Sequence, residues 1–256
     1  MTILPIVSET VLRLRRDRIF LPAMIVGIGL LLFSGLASFW GVEEFYKILY
    51  DLGTTAYQLT GVLVAIFWGS KIISDSKQEG SLEVQLASPV GRTEWLIAKY
   101  LGLCVTLVVL AIVFLIGWQL VYSAYGIGFM GWNSVGIFGI LTLSWLTMGA
   151  VAMFFASSTG YAVALFASVW LMICGLLTAP IMQSMAPDTP ETVKTVVSFL
   201  AGVWNLHYFN LYEFGAKKEF ISNIDILKRC LYAGSLITFF LSLAAFSFRK
   251  KDLTGS

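Results

Sequence analysis

The run Trp95–Val121, WLIAKYLGLCVTLVVLAIVFLIGWQLV, is the stretch of this sequence that decides the fold. It contains a single charged side chain, Lys99, which lies close to the start of the run. A helix that spans a bilayer needs about 20 consecutive, mainly apolar residues. Because this run exceeds that length and contains no proline, it predicts a transmembrane helix.

The composition of the whole chain agrees with this interpretation. Of its 256 residues, 58% are hydrophobic and 12% are charged, and the mean hydropathy is +0.83. An ordinary soluble domain carries about 25% charged residues. These values exclude soluble enzymes, nucleic-acid-binding proteins and secreted disulfide-rich domains. The three cysteines, Cys104, Cys174 and Cys230, are far apart and offer neither a disulfide framework nor a CxxC metal site.

Five further windows are long and apolar enough to span a membrane. The six predicted spans are Ile19–Trp40, Gly53–Ser70, Trp95–Val121, Asn133–Ala156, Tyr161–Gln183 and Cys230–Phe248. The second window differs from the others because it is short and rich in glycine and threonine. We therefore predict an all-α polytopic membrane protein in which residues 1–256 form a single transmembrane domain.

The distribution of lysine and arginine predicts the orientation of these spans. With six spans both termini lie on one side, and that side holds eleven basic residues: Arg13, Arg15, Arg16, Arg18, Lys71, Lys77, Arg92, Lys99, Arg249, Lys250 and Lys251. The other side holds six: Lys47, Lys194, Lys217, Lys218, Lys228 and Arg229. Basic residues are enriched in cytoplasmic segments, so we expect both termini in the cytoplasm.

Chemically active side chains are scarce in the predicted spans. No acidic residue and no histidine lies in the middle of a window, and Lys99 is near enough to an end to extend its ammonium group to the cytoplasmic surface. Ion-coupled pumps usually carry ionisable groups at membrane depth, and a GxxxxGK[ST] phosphate-binding loop is absent. We predict no catalytic residue and no cofactor in this chain. If the chain carries out active transport, the energy must therefore come from a partner at the cytoplasmic face. The alternatives are a secondary transporter or channel, and a membrane scaffold or assembly factor.

The single histidine, His207, lies between the last two predicted spans, beside Tyr208 and Phe209. These neighbours favour an interfacial position, and we predict no metal site. The alternative is a soft-metal ligand that acts together with Met182 and Met185, because copper(I) binds thioether and imidazole groups.

The segment 71–94, between the second and third spans, is too long to be a simple connection. Ser81 can cap a helix in which Leu82 and Leu86 share one face, and Pro89 ends that helix. The pattern predicts a short amphipathic helix on the cytoplasmic side. Such a helix can lie in the headgroup layer or dock against a partner.

The segment 184–229, before the last span, is also long and is predicted to lie on the outer side of the membrane. Asp188 and Glu191 have the spacing of a capping box. Apolar residues then recur at helical spacing, at Val193, Val196, Val197, Leu200 and Val203. We expect a helix on the outer rim of the bundle, with Ser222 as the cap of the last span and Thr93 as the cap of the third.

The segment 71–94 contains the run Leu86-Ala87-Ser88-Pro89-Val90-Gly91-Arg92-Thr93-Glu94, which follows Glu79-Gly80-Ser81-Leu82-Glu83 and precedes Lys99. This run is similar to the pattern L-x-[ST]-P-[VI]-x-R-x-[EQ], so the segment resembles the corresponding loop of ABC type-2 permeases. The layout is also similar, with a basic amphipathic segment at 1–18, six spans and a basic end. The stretch 207–215 is similar to the branch that includes permeases of gliding motility and of copper-site maturation in nitrous-oxide reductase.

The resemblance implies a function for this loop and partners for the chain. It implies that Lys71–Pro89 contains a coupling helix that docks on a separate ABC ATPase subunit, which binds ATP and Mg²⁺. The site residues that it implies are Glu79, Gly80, Ser81, Leu82, Glu83, Leu86, Pro89 and Arg92. The chain would then be the non-catalytic permease of an exporter in the bacterial inner membrane, paired with a second copy and surrounded by lipid. An extracytoplasmic accessory protein is a further implied partner, whereas nucleic acid is not.

Overall fold

The fold is described from a computed structural model, which describes residues 3–18, 20–38, 45–78, 91–125, 131–185, 189–211, 214 and 220–250. Within these residues the chain forms eight α-helices, one 3-10 helix and no strand. They are α1 Ile3–Arg15, α2 Phe20–Ser38, α3 Phe45–Gln78, α4 Arg92–Ala124, α5 Trp132–Ser158, α6 Tyr161–Ser184, α7 Glu191–Val203, the 3-10 helix Leu206–Phe209 and α8 Asn223–Lys250. Six of them, α2 to α6 and α8, are long and apolar enough to cross a membrane. The predicted all-α polytopic fold is confirmed.

The second span is much longer than its sequence pattern predicts. The window Gly53–Ser70 corresponds to α3, which has 34 residues. The apolar window ends at Ser70, before the charged Lys71. The helix continues because its inner face stays buried at Ile72 and Ile73. Lys71 does not interrupt it, since its ammonium group binds the Asp17 carboxylate at 2.5 Å.

The helix α5 is the centre of the bundle. It packs against α3, α4, α6 and α8, and 78% of its span is buried inside the chain. The corresponding fraction is 72% for α3 but 28% for α2 and α6 and 22% for α8. The core is therefore the contact between α3 and α5, and the remaining spans are arranged around it.

The glycine and threonine content of α3 is explained by this contact. A Cβ atom on Gly61 would lie 1.7 Å from Cε2 of Trp145, so the indole occupies the space of the missing side chain. Tyr57 stacks on the same indole with ring centroids 4.3 Å apart, and its hydroxyl shares a 2.7 Å hydrogen bond with Thr142. The Thr54 hydroxyl donates a hydrogen bond to the Tyr50 carbonyl at 2.6 Å within the helix. The buried hydroxyl therefore has a hydrogen-bond partner in its apolar surroundings.

Two ends of the bundle can be distinguished by their contacts. At the first, which we call the α1 face, α1 packs against α4, and the end of α3 meets the end of α5. At the opposite face, the start of α3 meets the start of α5 through a hydrogen bond between Tyr50 and Ser134. The Asn133 side chain accepts a hydrogen bond there from the backbone of Ile221, just before α8.

The rim helix is present as predicted, with a different start. Asp188, the predicted cap, lies outside the described residues, and α7 begins at Glu191 with Pro190 in the cap position. A proline fits this boundary because its missing N–H would have no helical partner there. The predicted apolar residues of α7, including Val196 and Leu200, are exposed in the isolated chain. Ser222 caps α8 as predicted, since its hydroxyl accepts a hydrogen bond from Ile224 N at 3.3 Å.

We expect Gly61→Ala to lower the stability of the bundle, because the new methyl group would collide with Trp145. Overpacking of this kind typically costs about 1–3 kcal/mol, which can be measured as a lower thermal unfolding temperature in detergent micelles. Gly139→Ala is the matched control, since a Cβ atom at that glycine meets no atom within 4 Å. Adding Trp145→Phe to Gly61→Ala should restore part of the loss. Equal unfolding temperatures for Gly61→Ala and Gly139→Ala would contradict this packing argument.

Candidate functional site

The loop between α3 and α4 is the segment that the sequence singles out. Of its predicted site residues, Glu79, Gly80, Ser81, Leu82, Glu83, Leu86 and Pro89 lie outside the described residues, and Arg92 lies within them as the first residue of α4. The structure therefore informs on this loop through the two helix ends that flank it. Both flanks are tied to the ends of other helices on the α1 face.

The first flank is the end of α3, where Lys77 caps another helix. Its ammonium group donates hydrogen bonds to the carbonyl oxygens of Ala156 at 2.6 Å and Ser157 at 3.0 Å. These carbonyls lie in the last turn of α5, which ends at Ser158. The last carbonyls of a helix lack helical partners and carry the negative end of its dipole. Lys77 therefore joins the ends of α3 and α5 by a favourable charge–dipole contact.

The second flank is the start of α4, where Arg92 reaches the end of α8. Its Nη1 atom donates to the Phe248 carbonyl at 3.2 Å. One turn later, the ring of the fully buried Trp95 lies 5.8 Å from the Phe248 ring. The Lys77 ammonium group also lies over that ring, 5.5 Å from its centroid. Both flanks of the loop therefore meet at Phe248.

The start of α4 differs from the predicted one. The sequence predicts Thr93 as the cap, but the helix begins at Arg92 and Gly91 occupies the cap position. The Glu94 carboxylate accepts a hydrogen bond from Gly91 N at 3.4 Å. Because a glutamate three residues into a helix can bind the cap N–H, Glu94 explains why the helix begins two residues earlier than a Thr93 cap would place it.

The N-terminal helix α1 covers the α1 end of α4. A Cβ atom on Gly102 would lie 2.6 Å from Cβ of Thr10, so glycine permits this close contact. The sequence predicts that Lys99 extends its ammonium group to the cytoplasmic surface. Instead its side chain is 2% exposed, with the ammonium group 3.5 Å from the Glu9 carboxylate and 5.6 Å from the Trp95 ring centroid. The prediction is wrong because α1 packs over the lysine and supplies its counter-charge.

The acidic and basic side chains of α1 and of the three residues after it differ in their surroundings. Its carboxylate Glu9 and the following Asp17 face the lysines of the bundle, Lys99 and Lys71. Arg15, Arg16 and Arg18 are exposed. The exposed surface at the end of α1 is consequently basic, as the sequence predicts for this part of the chain.

A second structured region lies at the opposite face, in residues 204–211. Leu206, Phe209 and Leu211 are buried in it. The amide of Gln58, a buried side chain of α3, donates to the Leu206 carbonyl at 3.2 Å. The Trp204 indole donates to the Leu171 carbonyl of α6 at 2.7 Å. This 204–211 segment is therefore inserted between the spans and does not simply lie over them.

His207 belongs to the 3-10 helix of this segment, where it is partly buried and its carbonyl accepts a hydrogen bond from Asn210 N at 2.9 Å. His207 is followed in this 3-10 helix by Tyr208 and the buried Phe209, and its interfacial position stays a prediction. Within the described residues, no three His, Cys, Asp or Glu side chains lie close enough to hold a metal ion.

Sequence reasoning misses the residues that connect these regions. It treats Phe248 and Lys77 as parts of basic helix ends, and Gln58 as an ordinary polar residue of a span. A signal is available for Gln58, because an amide in a membrane helix needs a hydrogen-bond partner. For Phe248 no local signal exists, since its importance comes from three separate helices that meet there.

We expect Lys77→Met to destabilise the end of α5, because two carbonyl oxygens lose their donor while an unbranched apolar side chain is kept. Leaving buried acceptors without a donor costs about 1–3 kcal/mol. Hydrogen exchange of the amides near 157–160 should accelerate, and thermal unfolding should occur at a lower temperature. Lys77→Arg should retain most of the stability, and Lys228→Met, at an exposed lysine, is the control. Unchanged exchange at 157–160 would argue against this role of Lys77.

A family model described as ABC-2 family transporter protein matches residues 20–253. No curated protein matches the chain. The family match begins at the first residue of α2 and extends past the end of α8, so it includes all six spans and the loop that resembles ABC type-2 permeases. The chain therefore belongs to the ABC-2 transporter family, as a multi-pass membrane-spanning permease subunit.

Proposed function

We propose that this permease subunit is the transport path of an ABC exporter and is driven by a separate ATPase subunit. The ATPase docks on the residues between α3 and α4 that begin at Glu79, which we call the 79–90 loop. Two copies of the chain would form the path. ATP and Mg²⁺ would bind to the partner, since this sequence has no phosphate-binding loop of its own. Export, dimer formation, a separate ATPase partner and placement in a bacterial inner membrane are inferred from family membership. A relation to the gliding-motility and nitrous-oxide-reductase branch stays a prediction.

The contacts at the α1 face are the observation that supports docking at this loop. Lys77 on one flank binds the end of α5, and Arg92 on the other binds the end of α8. A partner that moves the loop would therefore act directly on α3 and α4 and, through these contacts, on two further spans. Rigid helices that are displaced together are a common means of converting ligand-driven closure into a wider conformational change.

The basic residues support a cytoplasmic location for the α1 face. Eleven of the seventeen lysines and arginines belong to this end in a six-span topology. Three of them, Arg15, Arg16 and Arg18, are exposed at the end of α1 and in the residues that follow it. A basic surface at this level favours the cytoplasmic leaflet, where anionic lipids are abundant, and it brings the loop to the compartment that contains ATP.

The outer spans expose apolar side chains that suit lipid and a second copy. Leu21, Phe33 and Leu36 of α2 are more than half exposed in the isolated chain. Phe239 and Phe246 of α8 are similarly exposed. Surfaces of this type need an apolar environment, so a pair of permeases could cover part of them and leave the rest to the bilayer.

The topology can be tested with introduced cysteines. In a background with Cys104, Cys174 and Cys230 replaced by alanine, Thr189→Cys should react with an impermeant maleimide added outside intact cells. Gly80→Cys should react only after the membrane is made permeable. The expectation follows from the basic residues at the α1 face. Labelling of Gly80→Cys in intact cells, with protection of Thr189→Cys, would reverse the proposed orientation.

The docking role can be tested by Leu86→Asp, which places a charge where an apolar contact with the ATPase is expected. Burying an unpaired charge costs several kcal/mol, so binding should weaken by about a thousandfold at about 1.4 kcal/mol per factor of ten. The permease should still insert into the membrane, because the six spans are unchanged. The measurement is co-purification of the ATPase and its ATP hydrolysis rate in the presence of the permease.

Ser8→Asp is the matched control for this experiment. It adds the same charge to an exposed position on α1, at the same face but outside the loop, and should leave ATPase binding near the wild-type level. If the double variant Leu86→Asp and Glu79→Ala binds and stimulates the ATPase normally, the 79–90 loop is not the docking site. Loss of binding in Ser8→Asp as well would indicate a general effect of charge on this face.

A further inference from the structure

The last helix, α8, is a peripheral span that contacts few of the other helices. It lies at the periphery, since 22% of its span is buried inside the chain compared with 78% for α5. Between its ends it packs mainly on α5. Its polar contacts with other parts of the chain include those of Arg229 and Tyr232 toward its start and those of Ser247 and Phe248 toward its end. The position of such a helix depends strongly on what holds those ends.

At the α1 face, α8 is held by both flanks of the 79–90 loop. The Phe248 carbonyl accepts the Arg92 hydrogen bond, and its ring contacts Trp95 and the Lys77 ammonium group. One residue earlier, the Ser247 hydroxyl lies 3.1 Å from the hydroxyl of Ser158, at the end of α5. A displacement of Lys77 or Arg92 would therefore displace this end of α8 directly.

At the opposite face, α8 holds the 204–211 segment. Arg229 Nε donates to the Tyr208 carbonyl at 3.0 Å, and the guanidinium group lies 4.6 Å from the Tyr208 ring centroid. The Tyr232 hydroxyl donates to the Val203 carbonyl at 3.1 Å and accepts from Asn205 N at 2.9 Å. Side chains of α8 thus satisfy backbone groups of the segment and of the end of α7.

The helix between these two attachments is continuous. It runs from Asn223 to Lys250 without a proline, whereas α6 contains Pro180. From Tyr232 to Phe248 the distance along the axis is about 24 Å at 1.5 Å per residue. Long helices curve gently, and sharp kinks occur at proline, at Gly/Ser pairs or where the hydrogen bonds are interrupted. In α8 there is no proline, and its one Gly/Ser pair, Gly234-Ser235, lies within a turn of Tyr232, so the rest of the helix can move as one body.

We propose that α8 transmits a movement of the helix ends at Lys77 and Arg92 to the 204–211 segment, with Phe248 as its attachment at the α1 face and Arg229 and Tyr232 as its attachments at the opposite face. The segment is buried between the spans and is bound to α3 through Gln58. Its release from α8 would open the bundle at that end. The proposal rests on the proposed function only for the origin of the movement, since the contacts themselves need no partner.

The test measures exposure of the 204–211 segment in the full chain, in native membranes and without an ATPase. In the cysteine-free background, Leu211→Cys places a thiol at a buried position, where Leu211 is 3% exposed. An impermeant maleimide reports how often the segment opens. Arg92→Gln removes the guanidinium group of α4 that binds the far end of α8, and should accelerate labelling about fivefold or more, the lower range of typical coupling between distant sites.

Two variants serve as controls for Arg92→Gln. Arg15→Gln removes an exposed arginine of the same face and should leave the labelling rate unchanged. Arg92→Lys keeps a donor for the Phe248 carbonyl and should restore slow labelling. Thermal unfolding of each variant shows whether the chain remains folded.

A combined variant distinguishes transmission through α8 from general loosening. Arg229→Gln with Tyr232→Phe removes both attachments of α8 to the 204–211 segment, and should itself accelerate labelling. If α8 transmits the effect, adding Arg92→Gln to this pair should produce little further acceleration, because coupled residues are not additive. Multiplied effects, or normal labelling in Arg92→Gln, would overturn the proposal. Because no ATPase is present, either result is separate from failure of docking at the loop.

Discussion

The contact between Gly61 and Trp145 is the constraint on which the rest of the structure depends. A transmembrane bundle gains little from the hydrophobic effect between its helices, so close packing and hydrogen bonds must hold it together. The missing side chain at Gly61 admits the indole of Trp145, and Tyr57 then packs on that indole and binds Thr142. This contact brings α3 and α5 together as the buried centre, around which the remaining spans are arranged.

The two faces of the bundle are held by a different kind of interaction. At each face, side chains satisfy backbone carbonyls of neighbouring helices, as Lys77 does at the end of α5 and Trp204 does at Leu171. Backbone groups without a partner are costly in an apolar environment, so these contacts fix how the helix ends and the inserted segment lie. They also give the two faces discrete attachments that a movement could release.

Membership of the ABC-2 transporter family and the contacts of the loop flanks together give a physical picture of the proposed transport. The 79–90 loop joins α3 and α4, and its flanks reach α5 and α8 through Lys77 and Arg92. A partner that moved this loop would act on four of the six spans. The long α8 would carry that action to Tyr232 and the segment it holds. The permease would then need no ionisable group at the centre of its spans, because the energy enters at one face.

The sequence by itself determined the number and character of the spans, the basic α1 face and the loop that resembles ABC type-2 permeases. These properties depend on hydropathy, charge and local spacing, which can be read along the chain. Only the tertiary structure decided that α3 continues past Lys71, that α1 covers Lys99, and that Phe248 joins both flanks of the loop. Each of these results depends on a partner far away in the sequence, such as Asp17 for Lys71. A charge or a glycine carries no local sign of the residue that will pair with it or fill its space.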